Sequence, residues 1–146
     1  MEIRNMTEGD LEEICTIEQE SFSDPWSKED FQSVLKDKNN DYLVAIIESK
    51  VVGYCGYWGI AGEGDIYNVA VKEDNRGQKI GYLMLCELIK IAKSRGITSL
   101  TLEVRSSNES AIRLYRSLGF EQTAVRKDFY SKPKEDAVIM WLHAIQ

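Results

Sequence analysis

Three observations predict a mixed α/β fold of the α+β type, with a central, mostly antiparallel sheet of about seven strands and helices on both faces. The elements run strand, two helices, three strands, helix, strand, helix, two strands. Residues 42–71 hold three β-rich runs joined by short turns, which makes them antiparallel neighbours. Further on, two amphipathic helices flank one alternating strand, an arrangement that calls for a parallel neighbour and for cover on the faces of the sheet.

The first strand lies around Ile3. Thr7 and Asp10 read as a helix cap, and Leu11, Ile14, Cys15, Glu18 and Phe22 recur at helical spacing until Asp24-Pro25 breaks the run. Ser27 can cap a second helix carrying Phe31, Val34 and Leu35, which the polar stretch Lys36 to Asp41 ends. Tyr42 to Ile47 and Val51 to Ile60 are β-branched and aromatic, with Glu48-Ser49-Lys50 as the hairpin turn. Asp65 to Val71 follows as a third strand after a turn marked by Gly62 and Gly64. From Gln78 to Arg95 a long helix sets Ile80, Met84, Leu88 and Ile91 on one stripe, widened by Leu83, Leu85, Ile89 and Ala92, and Gly96 stops it. Leu100, Leu102 and Val104 then alternate with Thr101 and Glu103, so Glu103 points to the face opposite those apolar side chains. Asn108 can cap a helix that buries Ala111, Ile112, Leu114, Tyr115 and Leu118 and ends at Gly119. Two strands close the order, Glu121 to Tyr130 and Ala137 to Ala144, with Lys132 to Asp136 between them.

With 146 residues, 43% of them hydrophobic, residues 1–146 suit a single domain able to bury roughly 70% of its unfolded surface. No repeat or linker divides them, and Pro25 and Pro133 fall in loops. A net charge of -6 argues against direct nucleic-acid binding, which needs Lys and Arg to displace counterions, and favours a cationic substrate. Cys15, Cys55 and Cys86 have no metal-ligand or redox spacing and read as buried thiols of a reducing compartment. The first ten residues lack an apolar signal region, and no run approaches the ~20 apolar residues of a membrane span, so a cytoplasmic protein without membrane attachment is expected. His143, the single histidine, has no Ser or Cys placed to work with it, which removes hydrolase-type nucleophile systems. Glu18, Glu20 and Asp24 read as solvated helix-face charge able to attract a basic peptide.

The stretch Asn68 to Gly81, NVAVKEDNRGQKIG, carries the most chemistry. A strand runs through a polar turn into the start of a helix, where unpartnered backbone N–H groups at the positive end of the dipole suit a phosphate-bearing ligand. Glu103, Asn108 and Tyr115 follow at the carboxyl end of the next parallel strand, the edge at which α/β sheets bind ligands. Read alone, Glu103 could equally pair with Arg105 or Arg113, and Tyr115 could be a packing residue in step with Ile112 and Leu118.

This constellation resembles the GNAT acetyltransferase superfamily, whose acetyl-CoA loop follows Gln/Arg-x-x-Gly-x-Gly/Ala. Here the loop reads Arg76-Gly77-Gln78-Lys79-Ile80-Gly81, with Lys79 at the central glycine position. The run LEVRSSNESAIRLYRSLGF, Leu102 to Phe120, is similar to the bacterial ribosomal-protein alanine N-acetyltransferases of the RimI type, as are RKDFY (126–130) and DAVIMWL (136–142). The resemblance implies a GNAT-like fold with a splayed parallel strand pair. It also implies acetyl-CoA as cosubstrate without a metal, and as acceptor the N-terminal amine of a ribosomal protein beginning with alanine. Carried over by position, Val69, Ala70 and Val71 would bond the pantetheine, Arg76 to Gly81 the pyrophosphate, and Asn108 the cofactor as well. Glu103 maps onto the general base and Tyr115 onto the general acid. Trp26, Phe129 and Tyr130 are candidates for the acceptor groove. A small amine or lysine acceptor, or a non-catalytic acetyl-CoA sensor, are the competing expectations, and a monomer or weak dimer is the expected state.

Overall fold

The computed structural model describes residues 1–143 and Ile145. The strands are β1 (Glu2–Asn5), β2 (Asn40–Ile47), β3 (Lys50–Ile60), β4 (Glu63–Val71), β5 (Ser99–Arg105), β6 (Glu121–Ser131) and β7 (Lys134–Leu142). The helices are α1 (Leu11–Ser21), α2 (Lys28–Lys36), α3 (Ile80–Ser94) and α4 (Glu109–Ser117). One sheet takes all seven strands in the order β1-β2-β3-β4-β5-β7-β6. Every neighbouring pair is antiparallel except β4 and β5, so two antiparallel halves meet at one parallel seam. The expected fold class and order are those observed.

Local signals set the ends of the elements. Ser27 Oγ accepts from Asp30 N at 3.1 Å while Asp30 Oδ2 accepts from Ser27 N at 2.9 Å, the reciprocal box that starts α2. Asp10 accepts from Thr7 N at 2.8 Å and from both terminal nitrogens of Arg4 at 2.8 Å, tying β1 to the start of α1. The β2–β3 turn is the two residues Glu48-Ser49, both at positive φ (51° and 65°), as a hairpin matching strand twist requires. Ala61-Gly62 repeats this geometry between β3 and β4. Gly64 is therefore a strand residue and not part of that turn; a Cβ there would come within 2.7 Å of Leu100.

The core has two parts, one on each face. On one, α3 and α4 bury Leu43, Cys55, Tyr57, Met84, Leu88, Leu100, Leu102, Tyr115 and Phe120. On the other, α1 and α2 bury Leu11, Ile14, Phe31, Tyr42, Val44 and Tyr54. Leu83 falls outside the α3 stripe that the sequence extends to it and is 42% exposed. Cys55 is buried, but Cys15 and Cys86 are half-buried, because each sits at the edge of its helix stripe. The last strand starts at Lys134, three residues earlier than its apolar run suggests, since Lys134 and Glu135 still pair with Ser131 and Tyr130. Its expected end, Ala144, lies outside the described residues. Among the described residues no helix is long and apolar enough to cross a membrane.

Two irregularities shape the middle of the sheet. Gly56 faces Asn68 and Tyr57 faces Ile66, so Tyr67 is an extra residue on β4. Such a bulge changes the phase of alternation. Ile66 packs towards α3, but beyond the bulge Val69 and Val71 take that face, while Ala70 and Asn68 turn to α1. Tyr42 reaches Asn68 because Gly56 lets its ring lie flat on β3; a Cβ at Gly56 would sit 2.3 Å from that ring. The second irregularity is at the parallel seam, where pairing ends at Ile66 and Leu102 although β4 continues to Val71 and β5 to Arg105. The two strands part from there on.

Candidate active site

The parting strands leave the β5-facing edge of residues 67–71 without a strand partner. On the α3/α4 face this edge opens into a cleft of about 840 Å³. Val69, Ala70, Val71, Arg76, Gly77, Lys79, Ile80, Gly81, Asn108 and Tyr115 all line it. Gln78 does not line it. Ser21, Phe22, Asn75, Tyr82, Ser110, Ala111, Leu114 and Ser117 complete the wall, none of them singled out as a site residue from the sequence.

At the outer end of the cleft, the backbone N–H groups of residues 77–82 meet no acceptor among the described residues. Helix geometry explains the first turn of α3, whose N–H groups have no carbonyl four residues back. The loop before it adds Gly77 at φ 81° and Lys79 at φ 62°. Lys79 stands as the N-cap residue in the left-handed region, so α3 begins at Ile80 and not at Gln78. That conformation costs a side chain-bearing residue about 1 kcal/mol, and it is why the family pattern has glycine here. Arg76 is drawn back over the strand end, its Nε donating to Val71 O at 3.1 Å.

Asn108 caps α4 through Oδ1, which accepts from Ala111 N at 3.2 Å and Ser110 Oγ at 3.3 Å. Its acceptor is used, which leaves the amide –NH2 as the group it offers the cleft. Tyr115 is 7% exposed and packs on Phe120 with ring centroids 5.9 Å apart. Burial foremost pushes its phenol up from 10, so it carries its proton at neutral pH. The hydroxyl donates to no acceptor among the described residues, and Tyr115 lines the cleft.

Glu103 lies across the sheet from Tyr115. Leu102 and Val104 join the α3/α4 core, so Glu103 projects to the α1/α2 face at the level where the strands part. It is exposed, and its carboxylate pairs with Arg126 at 3.5 Å rather than with Arg105 or Arg113. An ion pair this exposed is worth at most about 1 kcal/mol and yields readily to another cation. Tyr67 and Tyr130 share the Glu103 side. Burial, Asp65 and then Glu103 push the Tyr67 phenol up; burial and then Glu103 do the same for Tyr130. Trp26 stands 6.1 Å from the Tyr67 ring, and Phe129 meets Tyr130 edge-on at 5.0 Å. The three candidate groove residues thus stay out of the cleft and stand on the Glu103 side.

Arg105 binds the pieces of this rim together. It donates to Lys132 O at 3.1 Å, Pro133 O at 2.9 Å and Ser23 Oγ at 3.3 Å, and lies 4.3 Å over the Tyr130 ring. Glu135 takes a further bond from it at 3.2 Å and one from Ser107 N at 2.7 Å. Donors from Ser107 foremost, with Arg105 and Ser106, hold the Glu135 carboxyl at about 2. Glu18 overturns its expected role: it is 2% exposed and fully engaged inside the protein. Its place on the stripe Leu11-Ile14-Glu18 was the available signal. Among the described residues no His/Cys/Asp/Glu group could hold a metal.

Residues 11–120 match the model of the Acetyltransferase (GNAT) family. The chain is similar to a Bacillus subtilis (strain 168) protein named as a candidate ribosomal protein bS18-alanine N-acetyltransferase, 36% identical over 96% of this chain and 93% of the relative. It is also similar to the ribosomal protein bS18-alanine N-acetyltransferase of Escherichia coli (strain K12), 33% identical over 96% of this chain and 95% of the relative. The crystal structure of the ribosomal-protein-S18-alanine N-acetyltransferase from Escherichia coli aligns with a TM-score of 0.90 at 32% identity, covering 99% of this chain and 94% of that one.

Proposed function

The chain belongs to the acetyltransferase (GNAT) family, and on that premise we propose that it acetylates the N-terminal α-amino group of a protein by direct transfer from acetyl-CoA in a ternary complex. The acceptor we propose is a ribosomal protein that begins with alanine; relatives 33–36% identical over 96% of the chain are named ribosomal protein bS18-alanine N-acetyltransferases. One observation carries the reading: the gap between β4 and β5 has a protonated phenol on one face and an exposed carboxylate on the other.

Acetyl-CoA fits the cleft as cosubstrate. The run of unpartnered N–H groups at residues 77–82 suits its pyrophosphate, and the free edge of Val69, Ala70 and Val71 suits the amides of its pantetheine. The bound cosubstrate supplies an activated acyl group in thioester linkage. A main-chain donor of the open β4 edge can hold the thioester carbonyl, an effect typically worth about 3 kcal/mol per donor. Asn108 adds its amide –NH2 to the cofactor. Glu103 takes the proton that the α-amine loses, directly or through a water, and Tyr115 gives its proton to the departing sulfur. An α-amine of pKa about 8 makes a lighter demand on Glu103 than a lysine near 10.4.

Lys79→Gly tests the loop. Relief of the left-handed conformation should raise stability by about 1 kcal/mol, roughly 2–4 °C in melting temperature for a chain of this size. Calorimetry should show acetyl-CoA binding in both proteins, at most a few-fold weaker in the variant because an ammonium near the phosphates is lost. Wild-type protein that binds no acetyl-CoA would end the enzyme reading. For the acceptor, the protein is incubated with acetyl-CoA and peptides differing in residues one to four, beside spermidine and free lysine, and thiol release is followed. A clear preference for an Ala-initiated peptide is expected. Preference for spermidine or lysine overturns the acceptor, and binding without turnover on any amine leaves a sensor.

A further inference from the structure

Glu18 lies in the wall between α1 and the sheet, away from the reacting groups. One oxygen accepts from the backbone N–H of Trp26 at 2.9 Å. The other accepts a short hydrogen bond from the Tyr54 hydroxyl, and Asn68 Nδ2 stands 3.5 Å from it. Asn68 Oδ1 in turn accepts from Tyr42 at 2.8 Å. No Lys or Arg pairs with Glu18 among the described residues. A buried carboxylate held only by neutral donors is a poor source of stability, because desolvation offsets most of what the bonds return. An apolar residue would extend the Leu11-Ile14 stripe at less cost. What the carboxylate adds is direction.

Its partners lie on two structures that must be kept in step. Trp26 belongs to the α1–α2 connection, which stands over Tyr67 at the Glu103 side of the sheet. Asn68 is the residue next to the Tyr67 bulge, one step before the free edge of Val69 to Val71, and Tyr54 is the β3 partner of Ala70 on that edge. We propose that Glu18 is a positioning residue that locks the acceptor-side Trp26 loop to the cofactor strand at the β4 bulge, so that amine and thioester are set against each other. The inference rests on the transferase reading above. A glutamine could still accept from Trp26 N–H and donate to the Tyr54 hydroxyl oxygen, whereas a leucine keeps most of the volume and accepts no hydrogen bond. With leucine the loop loses its anchor, while the cleft keeps every residue proposed to meet acetyl-CoA.

The test compares full-length wild type, Glu18→Leu and Tyr54→Phe with acetyl-CoA and the preferred amine from the panel above. Glu18→Leu is expected to raise KM for the acceptor at least tenfold, with KM for acetyl-CoA changed less than twofold. Tyr54→Phe, which spares the Trp26 bond, is expected to lower the melting temperature with acceptor KM within about threefold of wild type. Hydrogen exchange of wild type needs no variant: the Trp26 amide should be protected well beyond those of Ser23 and Asp24. Glu18→Leu with both KM values unchanged or raised equally, or a Trp26 amide that exchanges as fast as its neighbours, overturns the proposal. Wild type inactive on every amine fails the transferase reading instead, and the exchange measurement still decides whether Glu18 holds the loop.

Discussion

Tyr115→Phe is expected to lower kcat about 100-fold or more, the usual scale of a lost general acid, with acetyl-CoA affinity close to wild type. The departing thiolate, whose parent thiol has a pKa near 8.5, can take its proton from the Tyr115 O–H at the cleft. Burial keeps the Tyr115 phenol protonated far above neutral pH. The ring packs on Phe120 in the α3/α4 core, and phenylalanine preserves that contact. Since the hydroxyl bonds no other group among the described residues, its removal should change stability by less than about 1 kcal/mol. Steady-state kinetics with calorimetric acetyl-CoA binding separates the two quantities. Unchanged turnover would refute the assigned acid.

Glu103→Gln should lower kcat/KM for the acceptor by about 100-fold at pH 7 and change its pH dependence. Glutamine cannot take the proton, so the variant depends on amine already deprotonated in solution. Its rate should therefore climb about tenfold per pH unit up to the amine pKa near 8 and then level off. Wild type, which removes the proton at the site, should reach its plateau at lower pH. The side chain is exposed and its ion pair with Arg126 is loose, so melting temperature should barely move. A variant with the wild-type profile would leave the base unassigned.

The sheet and its helices were legible because their signals are local: alternation in Leu100 to Val104, helical spacing in α3 and the Ser27 cap all survive without knowledge of neighbours. The turn before α3 was legible for the same reason, down to Lys79, whose left-handed backbone is one that glycine adopts more readily. What escaped depends on partners distant in the chain. Glu18 looks solvated until Tyr54, 36 residues on, is seen to cover it. Arg126 reaches Glu103 only because β7 inserts between β5 and β6, an order that no spacing announces. Tyr67 went unnoticed because a bulge is a property of two strands, visible when Gly56 and Tyr57 are paired with Asn68 and Ile66. Gln78 was included by contiguity, yet the loop turns at Gly77 and Lys79 and leaves Gln78, alone of residues 75–82, off the cleft wall.

An acid and a base on opposite sides of a sheet cannot hand one proton back and forth. Under the roles proposed here, every turnover delivers a proton to the Glu103 face and withdraws one from the Tyr115 face. The exposed carboxylate can pass its proton straight to bulk water. The phenol, 7% exposed and sealed behind its own product, must wait for the cleft to clear before it is recharged. The parting of β4 and β5 therefore makes the enzyme a one-way proton step across its own sheet, reset from the solvent on each side separately.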